Sequence, residues 1–302
     1  MRPVKSAQHL AWLLGIPLDD LRRLANYVDK HYKKWKNTDP VKGKERTFIV
    51  PDRELKMVQR RILRNVLSNF VLPNGAHGGI KGRSPKTNAE HHLGKRLLVN
   101  IDIKDFFPSV RHGQVAKMFK RDFGCGRETT WILTRLTTVD GQLPQGAPTS
   151  TMIANIILAV PVDKPIHIRA AHLGVEVTRF VDDFSISGDK SEDLINDTAR
   201  AVSFVGLRTW RNRKKLKITP NHKRQEVTGL TVNSPNGPSV SRGKRERVRA
   251  AIHQLASCTQ CDFERSLASI KGRLNHIRQF NSGTAKRLQR QLDQVLNELE
   301  SE

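Results

Sequence analysis

Apolar positions along this chain change their period several times, and each change marks an element. Leu10, Leu13 and Leu14, then Leu21, Leu24 and Tyr27, recur at helical spacing, with Pro17-Leu18-Asp19-Asp20 separating two helices. Lys33-Lys34-Trp35-Lys36 and Lys42-Gly43-Lys44-Glu45-Arg46 read as a basic loop leading to the short apolar run Thr47-Phe48-Ile49-Val50. A long helix opens at about Asp52, with Leu55, Val58, Ile62, Val66 and Phe70 on one face and Lys56, Arg60, Arg61 and Arg64 on the others. Residues 97–101 read as a buried strand. Residues 114–123 and 127–136 predict helices, and 152–160 a strongly apolar helix that packs beneath a sheet. Residues 175–188 predict two strands around a tight turn, and 226–233 a strand and turn. After the linker Ser234-Pro235-Asn236-Gly237-Pro238 the pattern is helical throughout. Its three stripes are Val248, Ile252, Leu255; Phe263, Leu267, Ile270, Leu274, Ile277; and Leu288, Leu292, Val295, Leu299. No internal repeat is present.

Acids break this pattern in two places. Asp182-Asp183 interrupts a β-prone stretch, after Val175, Val177, Phe180 and Val181 and before Phe184 and Ile186. Successive strand side chains point to opposite faces, so two acids at a hairpin apex suit a ligand better than packing. Mg²⁺ is the natural one, a hard cation that takes oxygen donors and keeps phosphate in its shell. Taken alone, the pair is equally well explained as a solvated turn. Asp102 supplies the second site, between Ile101 and Ile103 at a strand's end, where an unpaired carboxylate is costly to desolvate. If that strand lies beside the hairpin, three carboxylates converge and need a metal or a proton to coexist. Nucleotidyl transfer uses such a cluster: one Mg²⁺ activates a 3′-hydroxyl, and a second about 3.5–4 Å away holds the triphosphate.

Charge extends the picture. The 302 residues, enough for two or three subdomains, carry 53 Lys and Arg against 29 Asp and Glu, a formal net charge of +24. That imbalance points to a polyanionic partner. The start, Met1-Arg2-Pro3-Val4-Lys5, does not resemble a signal peptide, and the sequence reads as lacking a long apolar run. Three cysteines make no disulfide framework, and the lone Cys258-x-x-Cys261 has no second pair to complete a zinc site. A cytoplasmic, non-membrane protein is expected. The loop Pro73-Asn74-Gly75-Ala76-His77-Gly78-Gly79-Ile80-Lys81-Gly82-Arg83-Ser84 carries glycines and two cations, suited to phosphate approach or to a plain surface loop. Leu143-Pro144-Gln145-Gly146-Ala147-Pro148-Thr149-Ser150 is a stiffened loop that can form a platform for a base pair. Between Arg208 and Lys217 six of ten residues are cationic, a density that suits a phosphate backbone; Trp210 among them suits base stacking and core packing equally.

In order and spacing these parts resemble reverse transcriptases, and within them the bacterial retron type. Asp102 with Phe106-Phe107, then Leu143 to Ser150, then Phe180-Val181-Asp182-Asp183, are similar to that family's three palm motifs. Asn88-Ala89-Glu90-His91-His92 fits the retron Asn-Ala-x-x-His element, and Val227-Thr228-Gly229 fits the Val-Thr-Gly triplet. The likeness runs from about Leu10 to Leu288. It implies an α+β right-hand polymerase. Residues 1–95 would be N-terminal helices and fingers, 96–233 a palm with an antiparallel sheet and a fingers insertion near 113–140, and 239–302 a helical thumb.

The resemblance also implies roles. Asp102, Asp182 and Asp183 would bind two Mg²⁺ ions, with the Ile103 backbone carbonyl lending an oxygen. Phe107 would fill the volume of a ribose 2′-hydroxyl and so select deoxynucleotides. Asp105 would sit near the triphosphate, Gln145 and Gly146 would contact the incoming nucleotide and its template partner, and Lys81 or Arg83 would reach the triphosphate. Lys223 would protonate pyrophosphate. Asn88, His92, Val227, Thr228 and Gly229 would serve RNA handling, alongside the basic Arg211, Arg213, Lys214 and Lys215 and the thumb flank Arg242, Lys244 and Arg245. The partners implied are dNTPs, a structured non-coding RNA that is template and 2′-hydroxyl primer, its branched DNA product, and an accessory effector in phage defence. Phe180-Val181 departs from the usual Tyr-Ala and removes a hydroxyl near the primer end. No RNase H, maturase or endonuclease segment is expected. The rival readings are another defence-associated reverse transcriptase and a catalytically silent RNA-binding protein of the same fold.

Overall fold

The computed structural model describes residues 3–38, 45–210, 216–255 and 260–301. Two units divide it: Met1–Ser84 with Val99–Ile218, and Pro85–Leu98 with Thr219–Glu302. In the first, α1 (Ala7–Leu14) opens where Ser6 accepts the His9 N–H and closes at Gly15, whose left-handed φ of 61° favours a residue without Cβ. With α2 (Leu18–Asn26) it buries Leu10, Leu14, Leu21 and Leu24, the helical stripe seen in the sequence.

The expected basic loop at Lys33–Lys36 is instead a strand. β1 (Tyr32–Thr38) pairs antiparallel with β2 (Glu45–Pro51), Lys34 opposite Ile49 and Trp35 opposite Phe48. The Trp35 and Phe48 rings stack at 4.8 Å, and a cross-strand aromatic pair of that kind outweighs lysines that remain in solvent.

Next comes α3 (Arg53–Asn65), which ends five residues short of Phe70 and gives way to a 3₁₀ turn at Leu67–Asn69. Asp52 caps α3, accepting the Leu55 N–H at 2.9 Å and contacting His31 Nδ1 at 2.8 Å. Burial pushes the Asp52 carboxyl up, but the Leu55 N–H and His31 outweigh it and leave it below the ordinary value of 3.8. A depressed folded value stabilises above the unfolded one and is lost as pH falls through it. Asp52→Ala should therefore cost about 0.5–2 kcal/mol at neutral pH and nearly nothing in acid below the folded value, as chemical denaturation across pH will read.

The remaining elements of this unit surround a sheet. They are β3 (Ala76–His77), β4 (Leu97–Asp102), α5 (Phe106–Ser109), α6 (His112–Phe123), α7 (Arg127–Thr137), α8 (Ser150–Leu158), α9 (Lys164–Leu173), β5 (Glu176–Phe180), β6 (Asp183–Ser187), α10 (Leu194–Phe204) and β7 (Lys217–Pro220); β4 and β7 run across the boundary between units. The strand order is β3-β5-β6-β4-β7. The sheet is mixed, not antiparallel as expected, because β3 from the glycine-rich loop runs parallel to β5 while β5 and β6 are antiparallel. Two residues of strand inside a glycine-rich loop leave no periodicity to read.

Beneath the sheet, α8 is buried from Met152 to Leu158. A π turn at Ala159–Asp163 joins it to α9, where Pro161 has no N–H to offer the helical ladder. The run Ser150–Leu173 is therefore long and apolar enough to cross a membrane by length and composition, contrary to the sequence reading, but 61% of its most apolar window is buried in the protein and it is a core helix.

In the second unit, α4 (Pro85–Glu90), β8 (Glu226–Val227), β9 (Leu230–Thr231), α11 (Arg242–Leu255), α12 (Gln260–Arg278) and α13 (Ser282–Ser301) share one apolar cluster. The expected stripes Val248, Ile252, Leu255, Ile270, Leu274, Ile277, Leu288 and Leu292 are buried in it. So are Ala89, Leu98, Val227 and Leu230, which lie far from those helices in sequence. Thr228 and Gly229 turn β8 into β9 with φ of 47° and 80°, the doubly positive geometry of a tight hairpin. Cys258 lies outside the described residues.

Candidate active site

Phe180 pairs with Asp183, so only Val181 and Asp182 connect β5 to β6. A two-residue connection matches strand twist when its first residue takes a positive φ, and Val181 does so at 60°. For a β-branched residue that region costs about 1–3 kcal/mol. The Asp182 carbonyl accepts the Ile103 N–H at 2.9 Å, which sets the end of β4, and Asp102 with it, directly beside the turn. On its other side, the Asp102 carbonyl accepts the Trp210 N–H at 2.9 Å and the Lys104 N–H donates to Arg208 at 2.7 Å. The Lys104 ammonium lies 4.9 Å from the Trp210 ring centroid, so that ring has an intramolecular partner.

Asp102, Asp182 and Asp183 are each half-buried, within reach of solvent and ligand. Three carboxylates on hydrogen-bonded backbone fit a hard divalent cation such as Mg²⁺. Among the described residues no three His, Cys, Asp or Glu side chains are already drawn into one metal-ligand group. Like charges repel, so closing the set is work for the cation.

Asp105, at φ 44°, bends the chain into α5 and accepts the Ser109 N–H at 2.9 Å. The bend sends Phe106 into the core and leaves Phe107 half-buried at the rim, with ring centroids 5.4 Å apart. Gln145 is held by its own carbonyl, which accepts the Ile49 N–H at 3.1 Å. At Gly146 a φ of 127° favours glycine, and an added Cβ would stand 3.1 Å from Val50 Cγ1 of β2, a tight approach. Lys81 is exposed. Arg83 instead turns inward, donating from Nη1 to the carbonyls of Pro73 and Ala76, and so braces the loop. Of the two candidates for the triphosphate, Lys81 is the one left facing solvent. A groove of about 860 Å³ opens beside Asp105, lined by Lys104, Arg111, Lys117, Arg121 and Arg208.

The remaining sequence candidates fall elsewhere. Lys223 belongs to the second unit, exposed in the turn after β7, where its carbonyl accepts from Asn233 Nδ2 at 2.7 Å. Asn88 and His92 are fully buried inside that unit. Val227 is buried, Thr228 Oγ1 donates to the Pro85 carbonyl at 3.0 Å, and the Gly229 carbonyl accepts Lys244 Nζ at 2.8 Å. Arg242 is exposed and paired with Glu246 at 2.6 Å, and Arg245 lies 3.5 Å from Thr284 Oγ1. Arg211, Arg213, Lys214 and Lys215 lie outside the described residues. Sequence reading overlooked Arg179, Asn155 and Asp163, which are buried around the Asp182 turn. The signal was available: a guanidinium in a core strand demands partners.

Residues 32–239 match the family described as reverse transcriptase (RNA-dependent DNA polymerase). Retron Mx65 reverse transcriptase of Myxococcus xanthus is 34% identical over 267 residues, which is 82% of this chain and 61% of that one. Retron Ec86 reverse transcriptase of Escherichia coli is 31% identical over 279 residues, 90% of this chain and 84% of that one. The chain belongs to the reverse transcriptase family, in its retron type. It spans about three-fifths of the length of retron Mx65 and retron Mx162 reverse transcriptases, the latter 33% identical. In this retron-type chain the matched stretch begins with β1 and includes Asp102, Asp182 and Asp183. The family brings the polymerase fold, here as α+β around a mixed sheet.

Proposed function

We propose that the chain is an RNA-directed DNA polymerase that copies a structured non-coding RNA, priming from a 2′-hydroxyl of that RNA and leaving a branched RNA–DNA hybrid. The observation that supports this reading is the Ile103–Asp182 backbone bond, which joins the end of the strand carrying Asp102 to the turn that carries Asp182 and leads into Asp183. Asp102, Asp182, Asp183 and the Ile103 carbonyl would hold two Mg²⁺ ions. When bound, these supply an activated primer hydroxyl and neutralise the leaving pyrophosphate. Phe107, at the rim beside its anchored neighbour, would close the space of a ribose 2′-hydroxyl. Gln145 and Gly146, pinned by the β1–β2 ribbon, would support the nascent base pair. Lys81 would meet the triphosphate from the glycine-rich loop, with Asp105 near it, and Lys223 would supply the proton to pyrophosphate.

The second unit would grip RNA by phosphate contacts from Arg242 and Arg245, with Arg211, Arg213, Lys214 and Lys215 adding charge. Asn88 and His92, both fully buried, and the Val227–Thr228–Gly229 turn, tied to Pro85 and Lys244, would shape that unit from within. A role in phage defence with an effector protein, in the cytoplasm, completes the proposal.

The purified protein, given an RNA template, an annealed primer, dNTPs and Mg²⁺, should make DNA. Nucleic acid co-purified with it should contain DNA that stays joined to RNA until a 2′,5′-debranching activity is added. Incorporation without such a linkage would reduce the proposal to another defence-associated reverse transcriptase. No incorporation on any template would leave the silent RNA-binding reading.

A further inference from the structure

Arg179 stands two residues before Val181 in β5 and has 0% exposure, as does Asp163. Its Nε and Nη2 donate to the two carboxylate oxygens of Asp163 at 2.7 and 2.6 Å. Nη1 donates to Asn155 Oδ1 at 2.8 Å and to the Val181 carbonyl at 2.7 Å. Asn155 passes the contact on, donating from Nδ2 to the Gly78 carbonyl at 3.1 Å. Gly78 lies so close to Val181 that an added Cβ would stand 2.6 Å from Val181 Cγ2. The network therefore reaches Val181 twice, through its carbonyl and through packing.

The fold is built to make this possible. Asn155 and Asp163 are eight residues apart on one helical run, out of phase for a regular α-helix. One α turn of 3.6 residues plus the wider π turn at Ala159–Asp163 comes to about eight, which brings both side chains to one guanidinium.

A buried ion pair is a poor device for stability, because apolar residues of similar volume usually serve as well. What apolar residues lack is a fork that holds a particular carbonyl. Val181 is the strained residue of the turn, and its peptide leads directly to Asp182, whose carbonyl holds Ile103. We infer that Arg179, Asp163 and Asn155 are positioning residues: they fix the Val181–Asp182 turn in its left-handed conformation and thereby set the acids of the turn against Asp102. The conformational part stands alone, and its consequence for metal binding rests on the function proposed above.

The test is the full-length double variant Arg179→Met with Asp163→Leu, compared with the parent. Melting temperature, hydrogen exchange of the Ile103 amide without metal, Mn²⁺ binding and single-nucleotide incorporation are measured. The variant should melt near the parent, with Ile103 exchanging at least about tenfold faster because its acceptor is no longer held. Mn²⁺ should bind about tenfold more weakly, and incorporation should fall about a hundredfold, the size of a small misplacement of reacting groups. Parental exchange at Ile103 in a folded variant overturns the inference. So does a lowered melting temperature with uniformly faster exchange through β5 and β6, the mark of a purely structural pair. Should the double variant fail to fold, Arg179→Lys, which keeps the charge and loses the fork, decides by the same criterion at Ile103. If the parent itself binds no Mn²⁺, the metal reading of the acids falls, and the exchange result still decides the positioning.

Discussion

With Asp182→Asn and Asp183→Asn combined, Mg²⁺-dependent primer extension is expected to fall by at least about a thousandfold, because charge stabilisation by bound metal is worth several kcal/mol of the barrier. Asparagine keeps the size of aspartate and removes the charge, so the hairpin itself has no reason to change. The bond that joins the turn to β4 uses the Asp182 backbone carbonyl and survives the substitution. Both side chains are half-buried, so the new amides keep access to water and leave no orphaned donor. Relief of repulsion with Asp102 should leave melting temperature equal to or above that of the parent. RNA binding measured by filter retention should be retained, which separates a lost reaction from a lost partner. Equal incorporation by variant and parent would end the polymerase reading.

Phe107→Ala is expected to admit ribonucleotides, lowering the preference for dNTP over NTP by roughly 10–200-fold, the discrimination available to steric exclusion in an apolar pocket. The geometry makes this substitution clean. Phe106 beside it is 4% exposed and anchors α5, whereas Phe107 is half-buried and packs only against the edge of the core. Relative kcat/KM for dNTP and NTP on one template position is the measurement, and an unchanged ratio would remove Phe107 from sugar selection. The dNTP reaction itself should remain, since Asp102 and Ile103 are held by backbone bonds that the ring does not make.

Much of the helical structure was legible because burial writes itself into a helix at intervals of three and four residues. Leu10 to Leu24, Leu55 to Ile62 and the stripes from Val248 to Leu292 all behave so. The strand-to-turn geometry around Asp182 was legible too, from alternation interrupted by acids. What escaped was whatever depends on a partner distant in sequence. β1 hides behind lysines that its solvent side tolerates, and only Phe48 opposite Trp35 reveals it. β3 is two residues long and exists because β5 lies alongside. Arg83 looked like a phosphate ligand by residue type, but its guanidinium is committed to backbone carbonyls of its own loop. Arg179 is the opposite case: a guanidinium in a core strand announces that it has partners, but nothing near it in sequence says that one of them is Asp163 across the π turn.

The second unit is assembled from two separate stretches of chain, Pro85–Leu98 and Thr219–Glu302. Among the described residues, its apolar interior takes Ala89 and Leu98 from the first stretch and thirteen other buried residues, Val227 to Leu292, from the second. Grafting the C-terminal helices of one relative onto another is thus not a single-crossover operation. A chimera joined near residue 219 would bring new helices to an old α4, and mismatched volumes there would register as poor expression before any change in chemistry could be seen.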